Sequence, residues 1–195
     1  KVDKEYSLLE SDAPIYDYFH FELAAKEQLL EADFEVLDQV LQACKRIYHD
    51  LPLYNQYRAF QAFEQRDFKK ALSHSLALSR YYPKNVEFGF LHGYFLLCGE
   101  HIDKAALQFE RCVELSGRND PDVFALLGHC HTLMNQRDGS LYHAKASLRA
   151  FTAGLRLRLR MGLPCTDLYR ALEGLRYGSS GFSIINEKAW VLRLS

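Results

Sequence analysis

The residues with metal-ligand chemistry gather at Gly128–His131, which reads Gly-His-Cys-His. Zinc accepts both His and Cys, but its ligands must converge in space. On a helix, residues share a face only at spacings of three or four. His129 and His131 are two apart, Cys130 lies between them, and His143 follows twelve residues after His131 on another expected helix. The spacing predicts polar or packing histidines and no metal site. The five cysteines (Cys44, Cys98, Cys112, Cys130 and Cys165) are odd in number, widely spaced and contain no Cys-x-x-Cys pair. That usage argues against a disulfide framework and fits buried thiols in a reducing cytoplasm.

Other reactive constellations are missing from the sequence. It has no Gly-rich phosphate loop, no Gly-x-Ser-x-Gly and no His-Glu-x-x-His. Acidic pairs such as Glu31 and Asp33 fall at expected helix ends, where capping accounts for them. The expectation is a non-enzyme without a cofactor, any catalysis lying in residues outside this chain. The run Leu-Arg-Leu-Arg-Leu-Arg at Leu155–Arg160 raises nucleic-acid binding. On a helix its three arginines span more than one face. With a net charge of −1, a dedicated nucleic-acid binder is not expected.

A length of 195 residues allows one compact domain or a short solenoid. Hydrophobic residues form 48% and charged residues 25%, with only five prolines and eleven glycines, which excludes a low-complexity chain. No apolar run approaches the roughly 20 residues a membrane-spanning helix needs. Charge is uneven along the chain: residues 1–50 hold twelve Asp/Glu against five Lys/Arg, and residues 143–177 hold seven Lys/Arg against two Asp/Glu. An acidic head and a basic tail can guide association or stack molecules head to tail.

Residues 1–13 read as a polar leader. Pro14 opens a helix in which Tyr18, Phe19, Leu23, Leu29 and Leu30 recur at helical spacing. Asp33 then caps a second helix with Phe34, Leu37, Val40, Leu41, Cys44 and Ile47 on one stripe. The same plan returns at a fixed interval. Asp33-Phe34 is followed 34 residues later by Asp67-Phe68, and 34 later again by His101-Ile102. Leu37, Ala71 and Ala105 keep the same interval. Repetition at such a period predicts stacked helix pairs, in units near 18–51, 52–85, 86–119 and 120–161. The period decays in the fourth unit, where Gly128 follows Gly93 by 35. Its second helix, Leu141–Met161, comes later still. A short helix over 166–175 would cap the open end. Residues 178–195 read as a linker followed by a β-hairpin or the start of a further domain.

The 34-residue units resemble the tetratricopeptide repeat family. Gly93, Ala105, Phe109 and Cys112 fill its small, small, aromatic and small positions, and Ala59, Ala71 and Pro83 keep the pattern one unit earlier. Ser75 stands where the aromatic is usual, and Leu37 stands at the close-packing site of the first unit. The resemblance covers roughly residues 18–160. It implies an all-α, right-handed helical-repeat solenoid over residues 14–177, with the first helix of each unit lining a concave groove. By that pattern Leu53, Gln56, Phe60 and Phe63 face inward in the second unit. Glu87, Phe90, Tyr94 and Leu97 do so in the third, and Asp122, Ala125, His129 and Thr132 in the fourth.

Such a groove is aromatic and lightly charged, suited to an apolar or helical segment of a protein partner. The basic clamp by which chaperone adaptors of this family grip a terminal carboxylate is missing. Its positions hold Gln56, Phe60, Tyr94, Asp122 and Leu126. Secretion chaperones that take apolar segments are the nearer match in groove chemistry. The expected function is therefore a cytoplasmic protein-interaction scaffold, chaperone-like or an adaptor, with Gln56, Phe60, Phe63, Phe90, Tyr94, Leu97, His129 and Thr132 as partner contacts. Two other readings stand beside it: a homo-oligomerising module, and the recruiting domain of an enzyme.

Overall fold

The structure is a computed structural model in which residues 14–47 and 52–177 are described. Among them nine helices follow one another and no strand occurs: α1 (Pro14–Glu31), α2 (Phe34–Ile47), α3 (Pro52–Glu64), α4 (Phe68–Tyr81), α5 (Val86–Cys98), α6 (Ile102–Leu115), α7 (Pro121–Asp138), α8 (Leu141–Met161) and α9 (Thr166–Tyr177). The fold is an all-α, right-handed helical-repeat solenoid of the tetratricopeptide-like type. The expected leader and the expected C-terminal hairpin lie outside the described residues.

The repeat is written in the backbone. Ala32, Arg66 and Glu100, spaced by 34, all adopt the left-handed conformation, with φ of 58°, 62° and 62°. At each turn the residue after the left-handed one donates its N–H five residues back: Asp33 to Gln28 O, Asp67 to Ala62 O and His101 to Leu96 O. This is the Schellman closure, which satisfies carbonyls that a helix end leaves open. A side chain in that conformation costs roughly 1 kcal/mol, so the closure is kept against a local penalty. The following helix is then capped where the sequence supplies an oxygen. Asp33 Oδ1 accepts from Val36 N–H, and Asp67 Oδ1 from Lys70 N–H, each at 3.1 Å. Asn85 and Asp120 cap α5 and α7 in the same way.

Within a pair, small residues let the helices meet. Ala25, Ala59, Ala71 and Ala105 are all fully buried, and Leu37 takes the buried close-packing site of the first unit. A Cβ on Gly93 would lie 2.8 Å from Phe109 Cε1, so the ring of α6 packs directly on the α5 backbone. Gly128 and Phe151 repeat this contact between α7 and α8, also at 2.8 Å. Phe109 follows Gly93 by 16 residues, whereas Phe151 follows Gly128 by 23. The period therefore fails in the sequence while the packing persists: the fourth pair is seven residues longer around its turn, which closes at Gly139 (φ 66°). Ser147 takes the place of Ala105, and its hydroxyl donates to the Gly128 carbonyl at 2.9 Å.

Where the second unit has Ser75 in place of an aromatic, the next unit supplies a ring. His92 of α5 is buried there, with Nδ1 3.0 Å from Ser75 Oγ. Burial pushes the His92 imidazole down to about 4, with Arg80 adding to the effect, so it packs as a neutral ring. At the end of the stack, Leu168 and Ala171 of α9 are buried, α9 packing against α8. Arg158 joins three elements: it reaches Asp122 of α7 at 2.8 Å, Asp167 of α9 at 2.5 Å and the Pro164 carbonyl at 3.2 Å.

On α1 the structure corrects the sequence pattern. Phe21, Ala25 and Leu29 are buried, while Leu23 and Leu30 are 65% and 53% exposed. Both sets fit helical spacing, but they lie on opposite faces.

Candidate partner-binding cleft

The eight expected groove positions divide sharply. Phe60, Phe63, Phe90, Tyr94 and Leu97 are each at most 5% exposed. The Phe63 ring stacks on Phe95 at 5.1 Å between centroids and tilts against Tyr94 at 5.8 Å, while Phe60 meets Phe95 edge-on at 6.1 Å. These five are core residues, not an open groove wall. The physical reason is visible in α5, where every residue from Gly89 to Leu97 is buried. A helix apolar on all sides is buried on all sides, and it has no free stripe to offer. Gln56, His129 and Thr132 retain partial exposure. Thr132 is nevertheless turned toward its own pair, with Oγ1 3.0 Å from the Gly128 carbonyl and 2.7 Å from Ser147 Oγ. His129 is partly buried, and that burial lowers its affinity for a proton.

The structure brings His131 and His143 together despite their separation in sequence. Their Nδ1 atoms are 3.2 Å apart and the rings stack at 5.4 Å. His143 Nε2 is 3.6 Å from Asp138. No group of three or more His, Cys, Asp or Glu among the described residues could hold a metal ion. The Gly-His-Cys-His run is thus split: His131 faces α8 and Cys130 is in the core. Burial pushes the thiols of Cys44, Cys112 and Cys130 up to about 11, about 12 and about 12, far from nucleophilic at neutral pH.

An open concavity lies elsewhere, between α6 and α8 with α7 as its floor. It has a volume of about 760 Å3, within the usual range for ligand clefts. Phe124, Leu127 and His131 come from α7, and Ala146, Ala150 and Ala153 from α8. Those alanines recur at i, i+4 and i+7, so α8 turns a line of methyl groups toward the cleft. Leu157 continues the apolar line one turn beyond Ala153. Tyr142 stands at the rim, 67% exposed.

The two walls differ in charge: α8 is cationic, and the α6 side carries two glutamates with Arg118 just beyond them. On α8, Lys145, Arg149, Arg156 and Arg160 line the cleft and are exposed. Spacings of four, seven and four keep them on one helical face, about 22 Å from end to end at 1.5 Å per residue. None of the four enters an ion pair among the described residues. On α6, Glu110 and Glu114 line the opposite wall one turn apart. The three arginines of the Leu-Arg repeat do span more than one face. Arg158 is withdrawn into its contacts with Asp122 and Asp167, whereas Arg156 and Arg160 belong to a longer stripe that begins at Lys145. The sequence signal was present as four cations at helical spacing, hidden by the alternation around Arg158.

No helix among the described residues is long and apolar enough to cross a membrane. No family model matches the chain, and no curated protein matches it. Solved structures do share its architecture. A MamA point mutant aligns with a TM-score of 0.52 and 12% sequence identity, over 85% of this chain and 96% of that one. MamA AMB-1 gives the same TM-score and identity over 87% and 96%. At this identity the likeness is one of fold: the chain is built as a helical-repeat solenoid of that kind.

Proposed function

We propose that the chain is a non-enzymatic scaffold of the tetratricopeptide kind that holds an apolar or helical segment of another polypeptide in the cleft between α6 and α8. The observation that carries this reading is the cleft itself: an apolar concavity open to solvent, between a cationic α8 wall and an α6 wall that carries Glu110 and Glu114. A helix laid in such a groove buries apolar side chains below and pairs its flanks with the rims. The residues that could do covalent chemistry point the same way: the most buried thiols are held protonated, and the paired histidines have no third ligand among the described residues. An adaptor or assembly role follows naturally from a surface of this type.

The experiment is a fluorescence anisotropy titration with a labelled amphipathic helical peptide. Ala153→Trp fills the cleft from a partly exposed position and is expected to abolish binding while leaving the circular dichroism melt in place. Phe60→Ala with Tyr94→Ala is expected to lower stability without changing the peptide contact in the protein that remains folded. Binding unaffected by Ala153→Trp would remove the cleft from consideration.

A further inference from the structure

We propose that the occupant of this cleft is the outer face of α1 from a second copy of the chain, so that copies join head to tail. The inference rests on the cleft being a docking surface, and it adds the identity of what docks there.

One face of α1 is left uncovered by the other described helices. Leu23 and Leu30 are seven residues apart, more than half exposed, and about 10 Å apart along the helix axis. At 3.6 residues per turn they point within about 20° of each other. Glu27 and Glu31 lie about 40° and 80° to one side of Leu23, both exposed, while Lys26 lies about 60° to the other side. The face is therefore a ridge of two leucines with an acidic flank and a basic flank.

The cleft is the complement of that ridge. Its apolar lining, Phe124 and Leu127 of the floor with Ala146, Ala150 and Ala153 of α8, suits a ridge of leucines. Its α8 wall presents cations with no partner among the described residues, and its α6 wall presents Glu110 and Glu114. One orientation sets Glu27 and Glu31 against the α8 cations and Lys26 against the α6 glutamates. The reverse orientation juxtaposes like charges on both sides, so the charge pattern fixes polarity. Head and cleft sit at opposite ends of the solenoid. Such a contact is heterologous and leaves a free head and a free cleft on every assembly, which propagates it into an open chain of copies.

Two charge-reversed variants of the full chain test this by sedimentation and light scattering across a wide concentration range. Arg149→Glu with Arg156→Glu alters the cleft wall, and Glu27→Lys with Glu31→Lys alters α1. All four positions are exposed, and thermal melts establish that both variants fold. The unmodified chain is expected to grow in mass with concentration and to lose association as salt rises toward 1 M, where the screening length is roughly 3 Å. Each variant alone is expected to associate at least about tenfold more weakly. Mixed together they are expected to associate again, because the head of each variant meets a cleft of opposite charge in the other.

A chain that stays monomeric at every concentration overturns the proposal. So does association indifferent to both variants, or a mixture that associates no better than either variant alone. If the monomer still binds the labelled peptide in a manner blocked by Ala153→Trp, the scaffold reading stands and the second copy is the wrong occupant. If neither self-association nor peptide binding occurs, both readings fall.

Discussion

Replacing Gly93 by alanine sets two effects of known sign against each other. In a solvated helix the change stabilises by about 1 kcal/mol, because glycine gives up more backbone freedom on folding. Here the new methyl would lie 2.8 Å from Phe109 Cε1 and 3.1 Å from Cδ1 and Cζ. Phe109 is fully buried, so the ring has nowhere to go without moving its neighbours. Overpacking of a methyl in a filled core costs about 1–3 kcal/mol. The net expectation is destabilisation by about 1 kcal/mol.

The second arm of the experiment isolates the cause. In a Phe109→Leu background the ring edge is gone, and Gly93→Ala is expected to become stabilising by up to about 1 kcal/mol. The coupling between the two sites is then about 2 kcal/mol, readable from urea denaturation of the four proteins in a double-mutant cycle. A coupling within about 0.5 kcal/mol of zero would show that glycine and ring do not meet as described. Gly128 and Phe151 are expected to give the same sign, since their contact has the same geometry.

Further outcomes follow from other contacts. Ala105→Arg is expected to destabilise by about 2–4 kcal/mol, through overpacking and a buried charge at a fully buried site; a melt unchanged within error would contradict that packing. Glu100→Gly is expected to stabilise by up to about 1 kcal/mol in urea denaturation, because Glu100 holds a left-handed φ of 62°; a loss of stability would mean its side chain contributes more than its backbone costs. His92 has a folded value of about 4, below the ordinary 6.5. The unfolded chain therefore takes up a proton first as pH falls, so stability is lost between about pH 6.5 and 4 by up to about 3 kcal/mol. Denaturation midpoints of the parent and of His92→Gln, measured across that window, are expected to converge at low pH. Arg158→Met is expected to cost about 1–2 kcal/mol and to loosen α9 first, seen as faster amide exchange in Thr166–Tyr177, since the lost pairs are only partly buried.

The fold class was legible because its signal is local and repeated. The Asp33-Phe34, Asp67-Phe68 and His101-Ile102 steps mark turns that share one backbone geometry, so spacing alone carried the architecture. The functional surface was harder to read, for a different reason. Residue type does not separate a groove-lining aromatic from a core aromatic. Phe60, Phe90 and Tyr94 have the chemistry of partner contacts and the burial of core residues. A warning lay in the run from Gly89 to Leu97, which is apolar or small on every face except for His92. The cleft depends on the gap between α6 and α8, two helices separated by α7, and no sequence window spans that distance. Ala146, Ala150 and Ala153 recorded only half of it. His92 was missed because its role was set by Ser75, seventeen residues earlier, whose small side chain leaves the space the ring occupies.

The seven extra residues of the fourth pair have a meaning beyond a lapse of register. Counted from the turn, four of them lie on the α7 arm, between Gly128 and Gly139, and three on the α8 arm, before Phe151. Each arm thus grows by close to one helical turn, and the two buried anchors still face each other. A hairpin lengthened this way rises past its neighbours without rotating against them. Its raised tip is tied down by Arg137, which donates to both oxygens of Asp103 on α6, at 2.9 and 3.0 Å. In this chain, how far a helix pair projects and how it stacks are separate variables. A repeat protein built so can change the height of one hairpin, and with it the shape of its surface, while the spine that holds the stack together stays the same.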